Sequence, residues 1–297
     1  MDECNGWALS IGELERAHKE ATDGGVEVVA LVFISPGNPT GQLLNVENLR
    51  DVIKFCIQYK LVLFADEVYQ ENVYIDQPFV SARKVLHDMG EPYSSSLELV
   101  NFHTASKGAW GECGYRGGYF ELMNIDERTN AEMYKLASVN LSPNVPGQIA
   151  MGIMVNPPAP GDESYPLFAE ERGNRLASLG RRAKAITDGF NACEGIVCQS
   201  VTGSMYSFPR LYLPVAAKEE AERRGMPADV MYCLDLLAAT GISTTPGSAF
   251  GQVPGTLHLR TTILPPEEVV VTMMQDIQKF NASFMDKYRG TGVSARL

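Results

Sequence analysis

Three short apolar runs punctuate the first hundred residues, at 26–35 (VEVVALVFIS), 61–65 (LVLFA) and 97–102 (LELVNF). Each is bounded by polar or turn residues, which predicts strands of a parallel sheet covered on both faces, although periodicity alone leaves a buried helical segment open. Between the first two runs, Val46, Leu49, Val52, Ile53, Phe55 and Cys56 recur at helical spacing with charged residues in the gaps. That pattern predicts a crossover helix over 46–59. Further helices are expected at 132–137, 148–155 and 168–192. Residues 156–166 (NPPAPGDESYP) combine proline, glycine and acid, the composition of a surface connection, and place a domain boundary there. Beyond it, strands are expected at 196–201, 204–213 and 257–263, and helices at 230–239 and 267–284. The predicted architecture is α/β. A partial large domain over 1–156 has a mostly parallel sheet with flanking helices, and a smaller α+β domain with its linker occupies 157–297.

Composition narrows what such a chain does. The 297 residues carry a formal net charge of -11, which argues against a nucleic-acid partner, because that affinity is drawn from clustered Lys and Arg. Six cysteines contain no CxxC pair and only four histidines are available, so no metal site is expected and the thiols are expected to be reduced. No apolar run approaches the roughly twenty residues that span a bilayer, and MDECNGW at the start lacks the regions of a signal peptide. A cytoplasmic protein with no membrane partner is expected. Ala295-Arg296-Leu297 resembles a relaxed peroxisomal address, with an ordinary frayed terminus as the plainer reading.

All three apolar runs end in polar clusters. The first leads into Pro36-Gly37-Asn38-Pro39-Thr40-Gly41, the second into Asp66-Glu67-Val68-Tyr69, and the third into His103-Thr104-Ala105-Ser106-Lys107-Gly108. In an open α/β sheet, ligands bind at the carboxyl ends of strands, so these clusters can converge on one site. Taken singly each has a bland reading: a proline–glycine turn, a capping aspartate beside a core tyrosine, a surface lysine.

In this order, PGNPTG, then DEVY, then SK followed by GYRGGY, the sequence resembles the fold type I pyridoxal-phosphate-dependent aminotransferases. Gly111 to Tyr119 (GECGYRGGY) and Asp66 to Gln70 (DEVYQ) resemble the alanine aminotransferases in particular. The resemblance implies that Lys107 is the catalytic lysine, which joins the cofactor aldehyde as a Schiff base and carries the substrate α-proton. It implies that Asp66 keeps the pyridine nitrogen protonated, that Tyr69 and Asn38 hydrogen-bond the ring's phenolic oxygen, and that Thr104, Ser106 and Arg116 hold the phosphate. Arg260, in HLRTT, would grip the substrate α-carboxylate. The reaction implied is amino-group exchange between L-alanine and 2-oxoglutarate, and a homodimer is implied as well.

The resemblance begins partway into the family's large domain. A glycine turn for the phosphate, the ring that stacks on the cofactor and much of the subunit interface are expected from a preceding part. A partial sheet is expected to leave a strand edge and apolar surface uncovered. Two alternatives stay open: a noncatalytic remnant that binds a partner, and another fold type I pyridoxal-phosphate enzyme.

Overall fold

The computed structural model describes residues 1–108 and 110–289; the Ala295–Leu297 tripeptide lies outside them. Contacts group the chain into two compact units, one of residues 1–37 and 42–176, the other of 38–41 and 177–297. The proline-rich stretch at 156–166 falls inside the first unit, and the division at 176/177 runs through a long helix.

In the first unit, helix α1 (Ile11–Asp23) precedes strand β1 (Ala30–Ile34), helix α2 (Val46–Tyr59) and strand β2 (Val62–Asp66). Helices α3 (Ala82–Met89) and α4 (Tyr93–Ser96) lead to strand β3 (Leu99–Thr104) and strand β4 (Gly118–Met123), followed by helices α5 (Glu127–Ser138) and α6 (Val145–Val155). The strand order is β1-β2-β3-β4, parallel except for β4, which runs antiparallel to β3. The predicted crossover helix forms over the predicted residues. Asn45 caps it by accepting the Asn48 N–H at 2.8 Å, and Lys60 ends it in the left-handed region at φ 55°. Its apolar face, Leu49, Val52, Ile53, Phe55 and Cys56, is buried against Phe33, Leu63, Ala65 and Leu99 of the sheet and Val85 and Leu86 of α3.

The expectation that the strands are covered on both faces is corrected here. One face packs on the helices, but on the other Val32 and Phe120 are 62% and 51% exposed. Along that face Phe64 meets Phe102 edge-on with centroids 5.7 Å apart, and Phe102 meets Phe120 at a tilt at 6.1 Å. The first run is also shorter than predicted, since residues 26–29 stay outside β1 and Val26 and Val29 are exposed.

Helix α7 (Tyr165–Asn191) leads into the second unit. Strands β5 (Ile196–Val197), β6 (Tyr206–Ser207) and β7 (Arg210–Leu211) follow, then helices α8 (Val215–Arg223) and α9 (Ala228–Thr240), strands β8 (Thr245–Pro246) and β9 (Leu259–Thr262), and helix α10 (Glu267–Arg289). The sheet β6-β9-β8 is antiparallel throughout. Its predicted strands are cut to two to four residues, because proline and glycine interrupt the segments around them. The core between α9 and α10 holds Tyr232, whose hydroxyl donates to Asn281 at 2.9 Å while the Asn281 amide donates to the Glu194 carbonyl at 3.0 Å. A buried polar pair is retained there because each member is satisfied.

Among the described residues all six cysteines are free thiols; no group of metal-binding side chains occurs, and no helix is long and apolar enough to cross a membrane. Ile53 is fully buried between α2 and the sheet. Ile53→Ala is expected to destabilise the first unit by about 2–5 kcal/mol, read as a lower urea midpoint; a loss under about 1 kcal/mol would show that the α2 face is loosely packed.

Candidate functional site

Parallel pairing brings three carboxyl-terminal strand ends side by side. Ile34 is level with Asp66, and Asp66 with Phe102. The alignment continues past the strands, where the Ser35 N–H donates to the Asp66 carbonyl at 3.1 Å and the Glu67 N–H to the Phe102 carbonyl at 3.2 Å. The segment from Asp66 to Tyr69 and the segment from Thr104 to Lys107 therefore leave neighbouring strands at one edge.

Asp66 is half-buried and accepts one hydrogen bond, from the Val68 N–H at 3.3 Å. Burial pushes its carboxyl above the usual range; that bond and the nearby Lys107 charge pull the other way. Lys107 is half-buried too, and among the described residues its ammonium has no hydrogen bond or ion pair. Gly108 follows at φ +65° in a packed position, its absent Cβ lying 3.4 Å from a Glu71 carboxylate oxygen. Tyr69 is 2% exposed.

Thr104 takes part in a local turn. Its hydroxyl donates to the Gly117 carbonyl at 2.7 Å and accepts from the Ser106 N–H at 3.1 Å, so donation to a phosphate requires giving up the first of these bonds. Arg116 is exposed, at φ 53°, with its guanidinium donating to the Cys113 carbonyl at 3.1 Å. Gly117 and Gly147 let the Arg116 segment lie against the start of α6; a Cβ on Gly117 would stand 2.7 Å from the Gly147 carbonyl oxygen.

In the second unit, Arg260 projects from β9 into an aromatic slot. Its guanidinium carbon lies 4.7 Å from the Tyr206 ring centre and 4.9 Å from that of Phe250. Its nitrogens donate to Asn38 Oδ1 at 3.1 Å and to Thr245 Oγ1 at 3.3 Å. Asn38 thus commits its amide oxygen to Arg260 and keeps its amide nitrogen as a donor. Gly41 belongs to the same unit: its carbonyl accepts from the Thr202 and Gly203 N–H groups, and at φ +71° a Cβ would meet the Tyr206 carbonyl oxygen at 2.5 Å.

Sequence reasoning missed several participants. Glu67, the second acid of DEVY, is buried and accepts from the Ala82 N–H at the start of α3 at 2.7 Å, while burial raises its pKa. The helix terminus, not a ligand, takes that carboxylate. Tyr206, Thr245 and Phe250 around Arg260 carry no local motif and are found only once the strands are paired. His103, noted in the third cluster, points to the helix-packed face, 9% exposed, where burial lowers its pKa.

Asp66 and Lys107 fit the demands of pyridoxal phosphate: an acceptor with a spare lone pair for a protonated ring nitrogen, and an uncommitted amine. Thr104 fits less directly, because its hydroxyl already donates within the turn. Residues 1–273 match the family model described as aminotransferase class I and II. Glutamate–glyoxylate aminotransferase 1 of Arabidopsis thaliana is 54% identical over 97% of this chain and 60% of its own length. A probable mitochondrial alanine aminotransferase of Dictyostelium discoideum is 48% identical, over 97% and 54% respectively, and alanine aminotransferase 1 of Bos taurus 47%, over 97% and 58%. The chain thus spans between about half and two thirds of the length of these relatives. An alanine aminotransferase from Pyrococcus furiosus shares the fold at TM-score 0.76 and 21% identity, over 95% of this chain and 63% of that one.

The raised pKa of Asp66 has a sign that can be checked. Folding disfavours its charged form, so its contribution to stability is full below the ordinary carboxylate range and is lost as pH rises through the raised folded value. In the cofactor-free chain Asp66→Asn is expected to raise the urea midpoint at pH 7, with a gain that shrinks as pH falls through the raised folded value and vanishes below pH ~4. A midpoint lowered at pH 7 would mean that attraction to Lys107 outweighs desolvation.

Proposed function

This chain belongs to the class I and II aminotransferase family, and we propose that it exchanges an amino group between L-alanine and 2-oxoglutarate through pyridoxal phosphate held at Lys107. The observation that carries the proposal is Lys107 with an uncommitted ammonium within electrostatic reach of the half-buried Asp66, at the ends of adjacent parallel strands. When bound, the cofactor supplies an aldehyde that links covalently to amines and a pyridine ring that withdraws electrons from the substrate's α-carbon.

The chain's own residues do the rest. The Lys107 amine takes up and returns the α-proton. The Asp66 carboxylate holds a proton on the ring nitrogen, and that bond in turn favours the ionised carboxylate against the burial that opposes it. By the family resemblance, Tyr69 and the Asn38 amide nitrogen would each donate to the ring oxygen. Ser106 and Arg116 would hold the phosphate, and Thr104 would join them only in place of its bond to the Gly117 carbonyl. Arg260 pairs with the α-carboxylate through its planar fork.

A second reading shares this chemistry and differs in the acceptor. The names of two Arabidopsis thaliana relatives, 54% and 53% identical, pair glutamate with glyoxylate, which makes glyoxylate the acceptor to set beside 2-oxoglutarate and pyruvate. We also propose a homodimer, for which the exposed Tyr134, Leu136, Val139 and Leu141 supply apolar surface. The cytoplasm is the proposed compartment; the Dictyostelium discoideum relative is named mitochondrial, and cell fractionation decides between them.

The purified chain mixed with pyridoxal phosphate is expected to develop a visible absorption band that is missing in Lys107→Ala and is bleached on adding L-alanine. Glyoxylate, pyruvate and 2-oxoglutarate, added in turn, rank the acceptors by how fast the band returns. A band that ignores both alanine and the substitution removes Lys107 from the proposed role.

A further inference from the structure

Arg260 is held by more than its immediate neighbours, and the holding begins at a carboxylate that no substrate needs to touch. Asp229 lies in the first turn of α9 with no exposed surface. Its Oδ1 accepts the Val230 N–H at 3.0 Å; its Oδ2 accepts the Ser248 N–H at 2.6 Å and the Gln252 side-chain N–H at 3.0 Å. Gln252 passes the contact on, its Oε1 lying 2.9 Å from His258 Nδ1. His258 stacks on Phe208 with centroids 4.8 Å apart and planes within 3°, and Phe208 meets Phe250 edge-on at 5.7 Å. Phe250 is one of the two rings against the Arg260 guanidinium.

The turn that carries Phe250, Gly247–Phe250, is fixed along its length. Its Gly247 N–H donates to the His258 carbonyl at 2.7 Å, and a Cβ on Gly247 would stand 2.3 Å from Gln252 Oε1 and 2.7 Å from the His258 Cβ. Asp229 grips Ser248, two residues before Phe250, and Gln252, two residues after it. A buried carboxylate is costly unless fully hydrogen-bonded, and this one is satisfied by the turn and by its own helix start.

We propose that Asp229 and Gln252 are positioning residues: they clamp the 247–252 turn so that Phe250 holds the Arg260 guanidinium in the plane that receives a substrate carboxylate. The proposal rests on the reading of Arg260 as the carboxylate-binding residue. Neither Asp229 nor Gln252 is assigned contact with substrate or cofactor.

The test is titration calorimetry of the full chain, loaded with pyridoxal phosphate, using propionate, an alanine lacking its amine, as the probe. Gln252→Met keeps length while removing both ends of the relay, and Phe250→Leu removes the ring while leaving the clamp. Each is expected to weaken propionate roughly five- to tenfold and to raise KM for the amino acid while kcat changes less than twofold, with the Lys107-dependent band unchanged. Phe250→Tyr is expected to retain affinity. Arg260→Gln separates the two claims: if it leaves propionate binding unchanged, the reading of Arg260 fails. If Arg260→Gln abolishes binding while Gln252→Met and Phe250→Leu, both with the wild-type cofactor band, bind propionate within twofold of wild type, the positioning proposal is overturned. Should Gln252→Met fail to fold, Asp229→Asn, which keeps the side chain's shape while weakening its bonds to Ser248 and Gln252, takes its place with the same expected and overturning outcomes.

Discussion

The register of three parallel strands, with Ile34 level with Asp66 and Asp66 with Phe102, is the constraint on which the first unit depends. Side chains alternate across a strand, so the adjacent acids Asp66 and Glu67 go to opposite faces, and a slip of one residue would exchange them. In the observed register Glu67 turns toward α3 and accepts its first N–H, whereas Asp66 is left with a single bond and Lys107 for a neighbour. The alignment thus sorts two chemically similar carboxyl groups into a structural role and a chemically available one. The packing of α2 onto Phe33, Leu63 and Leu99 enforces this sorting, because a slipped strand would carry those residues away from the helices.

How fully each buried acid is satisfied separates structure from chemistry. Asp229 has three N–H donors and no exposed surface, and Glu67 is buried against a helix start. Both are helix-terminal carboxylates whose charge is offset by the aligned peptide dipoles. Burial raises the pKa of both Glu67 and Asp66, but Asp66 accepts only the Val68 N–H among the described residues. The proposed role of Asp66 as a ligand-binding carboxylate is consistent with this contrast, since an acid with one bond retains capacity to accept another.

The sequence made the first unit legible to the extent that its signals were local. The helical spacing from Val46 to Cys56 located α2 to the residue, because capping by Asn45 and the left-handed Lys60 sit where the pattern ends. The strand over 26–35 was overextended, since an apolar run does not say which of its residues find a partner strand, and Val26 and Val29 lie outside β1. Helices α1, α3, α4 and α8 went unread; α1 is short of apolar residues, and α3 and α4 have only eight and four residues, so none of these three presents a long stripe. In the second unit the strands shrank because their pairing is set by distant partners such as Tyr206 with Thr262 and Thr245 with Arg260. The same non-locality hid the aromatic slot, which no motif announces.

The PGNPTG segment shows why a motif can be recognised before its mechanics are. As a plain turn it needs its glycines only for conformation. The structure gives them separate jobs: Gly37 lies so close to Gln42 that a Cβ would overlap the side-chain amide at 1.8 Å, while Gly41 lies under the Tyr206 carbonyl. Tyr206 in turn supplies one wall of the slot around Arg260, and Asn38, three residues before Gly41, supplies a hydrogen bond to the same guanidinium. A guanidinium over an aromatic ring gains on the order of 0.5–2 kcal/mol, and Arg260 lies over both Tyr206 and Phe250. Gly41 permits the close approach of the loop to Tyr206, in the same loop whose Asn38 accepts from the Arg260 guanidinium, so the loop and Arg260 are held together in one unit.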